Sequence, residues 1–337
     1  MPSVCASLST PLLSPREDLV FCAAFALAWE RLRARFGPIR MDPQPALADA
    51  LNATALGAEV VDPAWSVAGA GFGGEGIVEA LRAELLAKVP GARPEYLPEA
   101  VPPDALLAYG FLDKVLRFET TFAVREGTFK RARVRAFGLD GNPFGADPAR
   151  RAQVVVHDWT APQDFVLELL ADDPDSRVLV AQIPPAETLA AAVERALGRL
   201  DRLDGAARRL APDEALLIPR LGLDLEGRFG ELVGRPLLGE RVRGKRFDEA
   251  KQRVRFHLNE GGAGASAEAV MGSYGPPPRR SFLVTEPFLV LLQRRAANAP
   301  YLAAWVESTA WMEVLGQVAP PAPAGWGAPA GWGPPAG

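Results

Sequence analysis

From Leu19 to Phe36 apolar residues recur at helical spacing, with Glu30, Arg31, Arg33 and Arg35 on the polar face, and Gly37-Pro38 interrupts the pattern. This predicts a first helix. A second is predicted over Gly76 to Lys88, where Ile77, Leu81, Leu85 and Val89 share one side before Pro90-Gly91 ends the run. From Ala105 the period falls to two. Strands are predicted at Ala105–Phe111, Phe129–Leu139, Gln153–Trp159, Phe165–Leu170 and Arg177–Ile183. An amphipathic helix is predicted next, over Glu187 to Leu200, starting near Glu187 or Thr188, with Arg195, Arg199 and Arg202 toward its end, where the helix dipole favours cations. Strand signals return at Glu214–Leu225, Gln252–Asn259, Ser281–Gln293 and Pro300–Val306.

Composition narrows the function. With 337 residues, 48% of them hydrophobic, the chain can bury a large core, and one domain over residues 1–315 is expected. Residues 316–337 carry two copies of Pro-Ala-Gly-Trp-Gly in a Pro/Gly/Ala run and read as a disordered tail. The net charge of −4 is spread along the chain, so no basic stripe exists to neutralise phosphates and nucleic acid is not an expected partner. No run of eighteen uncharged apolar residues is present, so no membrane partner is expected either. Leu19–Trp29 fails as a signal peptide because Arg16, Glu17 and Asp18 precede it without a cleavage site after it, and a cytoplasmic location is expected. Cys5 and Cys22 are no disulfide framework and read as free buried thiols.

Catalytic chemistry is sparse. His157 and His257 are the two histidines, and neither neighbourhood holds a Ser/His/Asp pattern, so no catalytic residues are assigned. Metal-ligand spacings are absent, and neither a metal nor a cofactor is expected. Gly69-Ala70-Gly71-Phe72-Gly73-Gly74 matches Gly-x-Gly-x-x-Gly before a helix. A dinucleotide site needs a buried strand feeding the first glycine inside a βαβ unit; Pro63–Val67 is a short strand at best, so the glycines read as a flexible loop. A nucleotide-binding enzyme is the remote alternative.

The informative stretch comes late. Val254–Glu260 alternates apolar and polar residues as a strand with one buried face does, and it ends in Gly261-Gly262. Then Ala263, Ala265, Ala267 and Ala269 occupy every second position, interleaved with Gly264, Ser266 and Glu268. Such a segment suits a chain with two conformations. It is too glycine-rich to commit to a strand, yet small enough on one face to enter a sheet beneath a helical layer.

These residues resemble the serpin family, in which a strand ending in Asn-Glu-Glu-Gly leads into a hinge of small residues, an exposed reactive-centre loop, and a strand beginning near Pro-Phe. Here the counterparts are Asn259-Glu260-Gly261-Gly262, the alanines, and Glu286-Pro287-Phe288-Leu289. Ser14-Pro15 resembles the Ser-Pro that opens the family's long first helix, Leu216–Leu223 its Leu-Pro-Lys-Phe strand, and Pro300–Val306 its closing hairpin strand. Where the family carries a histidine beneath its sheet, Gln252 stands. Its tryptophan after the Asn-Ala-x-Tyr-Phe strand has no counterpart near Ala108–Leu112.

The resemblance implies an α/β fold of the α+β kind, with a large mixed central sheet, N-terminal helices, smaller sheets and an exposed reactive-centre loop. It implies a monomeric, non-enzymatic inhibitor of a serine or cysteine endopeptidase whose partner is the target protease, and it allows an extracellular location. The hinge is then Glu260, Gly261, Gly262, Ala263, Ala265, Ala267 and Ala269, and the scissile region Tyr274, Gly275 and Pro276. The alternative within the same family is a serpin-fold protein that binds a partner without inhibiting.

Overall fold

Near-continuous apolar runs mark strands covered on both faces, and alternating ones mark strands covered on one. Both kinds occur. The computed structural model describes residues 2–12, 17–57, 59–89, 91, 94–141, 147–262 and 280–316. Its strands are β1 (Ser3–Cys5), β2 (Leu19–Cys22), β3 (Ser66–Phe72), β4 (Leu106–Leu112), β5 (Ala123–Phe129), β6 (Ala132–Leu139), β7 (Val154–Ala161), β8 (Asp164–Leu169), β9 (Ser176–Gln182), β10 (Ala215–Pro219), β11 (Leu221–Arg228), β12 (Lys251–Leu258), β13 (Ser281–Leu283), β14 (Phe288–Arg294) and β15 (Leu302–Val306). Its helices are α1 (Ala24–Phe36), α2 (Ala46–Ala53), α3 (Ile77–Lys88), α4 (Pro148–Ala152) and α5 (Leu189–Leu197).

The largest sheet has seven strands in the order β1-β2-β15-β14-β9-β8-β7, antiparallel throughout except for the parallel β1–β2 pair. Its middle, β9 and β14, is buried along almost its whole length, as the runs Val178–Ala181 and Phe288–Leu292 require. Helix α5 packs on β14 and β15. Of the two candidate residues for its start, Thr188 is the cap: its hydroxyl accepts the Ala191 N–H at 3.2 Å.

A four-stranded sheet has the order β13-β10-β6-β5. Two antiparallel pairs complete the set, β3–β4 and the eight-residue ribbon β11–β12. Helix α1 packs against β3, β4 and β12, while α3 packs on β3. The mixed α+β architecture with one large mixed sheet and smaller ones is as expected from the sequence.

Several boundaries differ from the sequence reading. Leu19–Cys22 is strand β2 and not the first turn of a helix: all four residues are buried, with β15 on one side and β1 on the other, so sheet pairing overrides their helical spacing. The helix starts at Ala24 and ends, as expected, at Gly37, whose φ of 76° suits glycine. Ser14-Pro15 lies outside the described residues, and the next element along the chain is strand β2. The run expected as one strand over Phe129–Leu139 is the end of a hairpin, β5–β6, turning at Lys130 and Arg131 with φ of 44° and 72°. Glu214–Leu225 divides at Arg220 between β10 and β11, which lie in different sheets, and Ser281–Gln293 divides likewise into β13 and β14. Gly69 and Gly71 sit inside β3 and not in a loop; β3 pairs antiparallel with β4, so no parallel unit forms to present a phosphate-binding turn. The tail beyond residue 316 lies outside the described residues.

Candidate functional site

The end of β12 is where the alternating strand pattern stops, and the structure fastens it there. Asn259 and Gly262 exchange backbone hydrogen bonds at 2.8 and 3.2 Å, and the Asn259 side-chain oxygen accepts the Gly261 N–H at 3.0 Å. This is a closed turn. Gly262 adopts φ of +117°, and a Cβ there would sit 2.4 Å from the Leu116 carbonyl oxygen, so the position needs glycine on both counts.

Residues 116–122 form the wall against which the turn rests. Phe118 N–H donates to the Gly261 carbonyl at 3.1 Å, and Phe122 N–H to that of Glu260 at 2.8 Å. The rings of Phe118 and Phe122 meet edge to face at 5.2 Å and both approach Phe137 of β6. Gln153 pins the same wall from the other side, accepting the Thr120 N–H at 2.6 Å and donating to its carbonyl at 2.7 Å.

Glu260 is 1% exposed, and a carboxylate so buried needs a strong partner. Arg220 supplies it. Its Nε and one terminal nitrogen donate to the two carboxylate oxygens at 2.7 and 2.5 Å, a side-on bidentate pair. Because Arg220 separates β10 from β11, this ion pair ties the end of β12 to the junction of two sheets.

Beyond this turn, β12 carries a ladder on one edge, with β11, and β4 carries one with β3; no ladder joins β4 to β12 among the described residues. Both lie on α1. Within β12, Gln252 is buried and donates to the Cys22 carbonyl at 3.0 Å.

A strap crosses the ribbon on its outer face. Glu95 accepts from Arg253 at 2.6 Å and from Arg255, both of which also hold Asp224, while the Tyr96 hydroxyl donates to Glu226 and the Lys251 ammonium lies 4.8 Å from the Tyr96 ring centre. Next along, Leu97 is buried with Val67, Leu81, Leu85 and Tyr109, so the strap joins the β3–β4–α3 unit to the β11–β12 ribbon. The Arg255 hydrogen bond holds the Glu95 carboxyl below the usual carboxylate range, and that of Arg253 does the same for Asp224. Partial burial, then the Glu226 hydrogen bond, push Tyr96 up to about 12.

A lowered carboxyl stabilises the fold above its ordinary range, and that contribution disappears as pH falls through the lowered value. Glu95→Gln is therefore expected to lower stability by about 0.5–1 kcal/mol near neutral pH in dilute buffer. The difference should shrink in thermal melts as the pH is lowered stepwise below the ordinary carboxylate range, and in 1 M salt, where the screening length is about 3 Å. An equal loss under all three conditions would mean that Glu95 acts by packing and not by charge.

The histidines are placed as strand residues. His157 sits at a register shift in β7, fully buried; its Nδ1 faces both the Asp201 carboxylate oxygen at 3.1 Å and the Asp201 N–H at 3.2 Å, and its Nε2 lies 2.9 Å from the Glu168 carboxylate. Burial raises the Glu168 carboxyl, but the hydrogen bonds from His157 and Arg295 outweigh it and hold the group low. No hydroxyl or thiol is among the partners of His157 in the described residues, so the cluster has no nucleophile to activate. His257 is partly buried in β12, and burial lowers its pKa. Cys5 and Cys22 are free and buried, which raises both thiols to about 11.

Of the residues expected to form the hinge, Glu260, Gly261 and Gly262 are in the turn just described. Ala263, Ala265, Ala267 and Ala269, and the region of Tyr274, Gly275 and Pro276, lie outside the described residues. Arg220, the wall at 116–122 and the strap at Glu95-Tyr96 are additions that the sequence reading did not contain.

No protein-family model matches the sequence, and no curated protein does. Among solved structures, the chain is similar to serpins. A highly specific serpin of the insect Tenebrio molitor is 11% identical, with 88% of this chain and 93% of that one covered and a TM-score of 0.48. A serpin of the trematode Schistosoma haematobium is 12% identical, with 87% and 94% covered and a TM-score of 0.49. The mouse protein-Z dependent protease inhibitor is 12% identical, with 86% and 90% covered and a TM-score of 0.49. Among the described residues, no helix is long and apolar enough to cross a membrane.

Proposed function

We propose that the protein is a serpin-like inhibitor of a serine or cysteine endopeptidase, working by cleavage of the segment after Gly262 and entry of its first part into the sheet. The observation that carries this is continuity. The alanine alternation at 263, 265, 267 and 269 comes directly after β12 and its turn, and the edge of β12 away from β11 has no ladder among the described residues. A strand added there satisfies open backbone groups along its length and places small side chains toward the helix below. In the inhibitory cycle the protease nucleophile attacks a carbonyl of the segment, the peptide bond breaks with release of the new amine, and an ester or thioester holds the enzyme to the hinge side. Strand entry then drags the attached enzyme along and distorts its active site, so that the ester or thioester is not hydrolysed.

Trimming the segment with a nonspecific protease and comparing thermal unfolding of cut and intact protein tests this. Inhibition by insertion is expected to raise the melting temperature by some tens of degrees, far beyond a single-site effect. An unchanged melt would overturn it.

The second reading, a binding protein without inhibitory action, draws on Pro276-Pro277-Pro278 directly after Tyr274-Gly275, since proline after a cleavage point hinders serine proteases. Cleavage without stabilisation, and no covalent adduct across a panel of proteases, would favour it.

A further inference from the structure

Between α1, the 54–63 connection and the β3–α3 unit lies a cavity of about 250 Å³, walled by Leu27, Leu56, Val61, Pro63 and Ala68. For scale, a dry cavity of about 150 Å³ admits benzene. This one has room for a ring and a short chain.

Its charged lining is unequal. On the α3 side Glu84 and Lys88 neutralise each other at 2.5 Å, and Lys88 also reaches the Ser66 carbonyl. On the α1 side Glu30 is half-buried and has neither a hydrogen bond nor an ion pair among the described residues. Burial raises its pKa, against the pull of Arg31 and Arg33, and the nearby Glu59 carboxylate raises it further. Arg33 is engaged with the Asn52 carbonyl, and Arg31 is exposed, so solvent screens its charge more than that of Glu30. A partly desolvated carboxylate without a hydrogen bond or ion pair among the described residues, beside an apolar wall of Leu27, Leu56, Val61, Pro63 and Ala68, matches a cation with an apolar body.

We propose that this cavity is a binding site for a small organic ammonium whose aromatic or aliphatic body fills the space between α1 and β3 while its charge pairs with Glu30. Occupancy would brace α1 against the β3–α3 unit, because the walls come from all three elements.

Titration calorimetry of the full chain with 2-phenylethylammonium, 2-phenylethanol and phenylacetate tests the assignment. The ammonium is expected to bind at least tenfold more tightly than the other two. Glu30→Gln, which keeps the side-chain shape, is expected to reduce ammonium affinity at least tenfold, to the level of the alcohol, and to leave alcohol binding unchanged. Ala68→Leu, which fills the cavity, should weaken both, and a melting temperature within a few degrees of the parent protein should accompany each variant. Equal binding of ammonium and alcohol, undiminished ammonium binding by Glu30→Gln, preference for phenylacetate through Arg31, or no binding of any of the three at millimolar concentration would each overturn the proposal.

Discussion

Glu260→Ala is expected to destabilise the protein by about 3–5 kcal/mol, because it leaves the Arg220 guanidinium partly buried and without its bidentate acceptor. The loss is larger than a surface ion pair would give. Glu260 is 1% exposed and the Arg220 side chain 17%, so water replaces little of what is removed. A second carboxylate, Glu313, lies 3.9 Å from Arg220, beyond hydrogen-bond distance. The double variant Glu260→Ala with Arg220→Met should recover part of the loss, since it removes the charge that has lost its bidentate acceptor as well as the bond. Denaturant unfolding of the two single variants and the double variant gives the coupling directly. A double variant no better than the sum of the singles would mean that the pair is not the source of the effect.

Gly110→Val is expected to cost about 3 kcal/mol, or roughly 5–10 °C in melting temperature, through a clash and not through backbone conformation. A Cβ at Gly110 would lie 2.1 Å from the Ala24 carbonyl oxygen and 3.2 Å from the Ala28 nitrogen, so β4 rests directly on the first turns of α1. Backbone atoms of a helix cannot move aside as a side chain can. Gly71, in the paired strand β3, gives the contrast: its added Cβ would meet the ends of the Arg35 and Glu75 side chains at 2.8 and 3.0 Å, which can swing away. Gly71→Ala is accordingly expected to change the melt little. Similar losses at both positions would show that the β3–β4 pair tolerates no bulk for some other reason.

Most strands were legible in the sequence because their burial imposes a pattern, alternating in β12 and continuous in β9 and β14. Ambiguity entered where a pattern fits two periods. Leu19-Val20-Phe21-Cys22 satisfies helix and buried strand equally, and only the presence of β1 and β15 on either side decides between them. Strand β5 was missed because Arg125, Glu126 and Thr128 leave few apolar positions, and its turn at Lys130-Arg131 lacks the Asn-Gly signal usual for positive φ. At the site, Glu260 and the glycines after it stood out through a motif. Arg220 did not, because an ion pair across forty residues is a property of tertiary packing. For the same reason nothing in the sequence singles out Glu95 and Tyr96, although they bond to a ribbon more than a hundred residues away.

The ribbon β11–β12 and the four-stranded sheet are joined covalently twice, and the two joints differ mechanically. One is short: a single residue, Arg220, spans from β10 to β11, so the ends of these strands can lie no more than about 7 Å apart, two residue steps of extended chain. The other is long, since the chain from Asn259 to Arg280 has a contour on the order of 70 Å before β13 returns to the same sheet. On the proposed reading, a cut in the long joint would leave the ribbon and the four-stranded sheet still joined through Arg220, while the new end on the β12 side would no longer be tethered to β13.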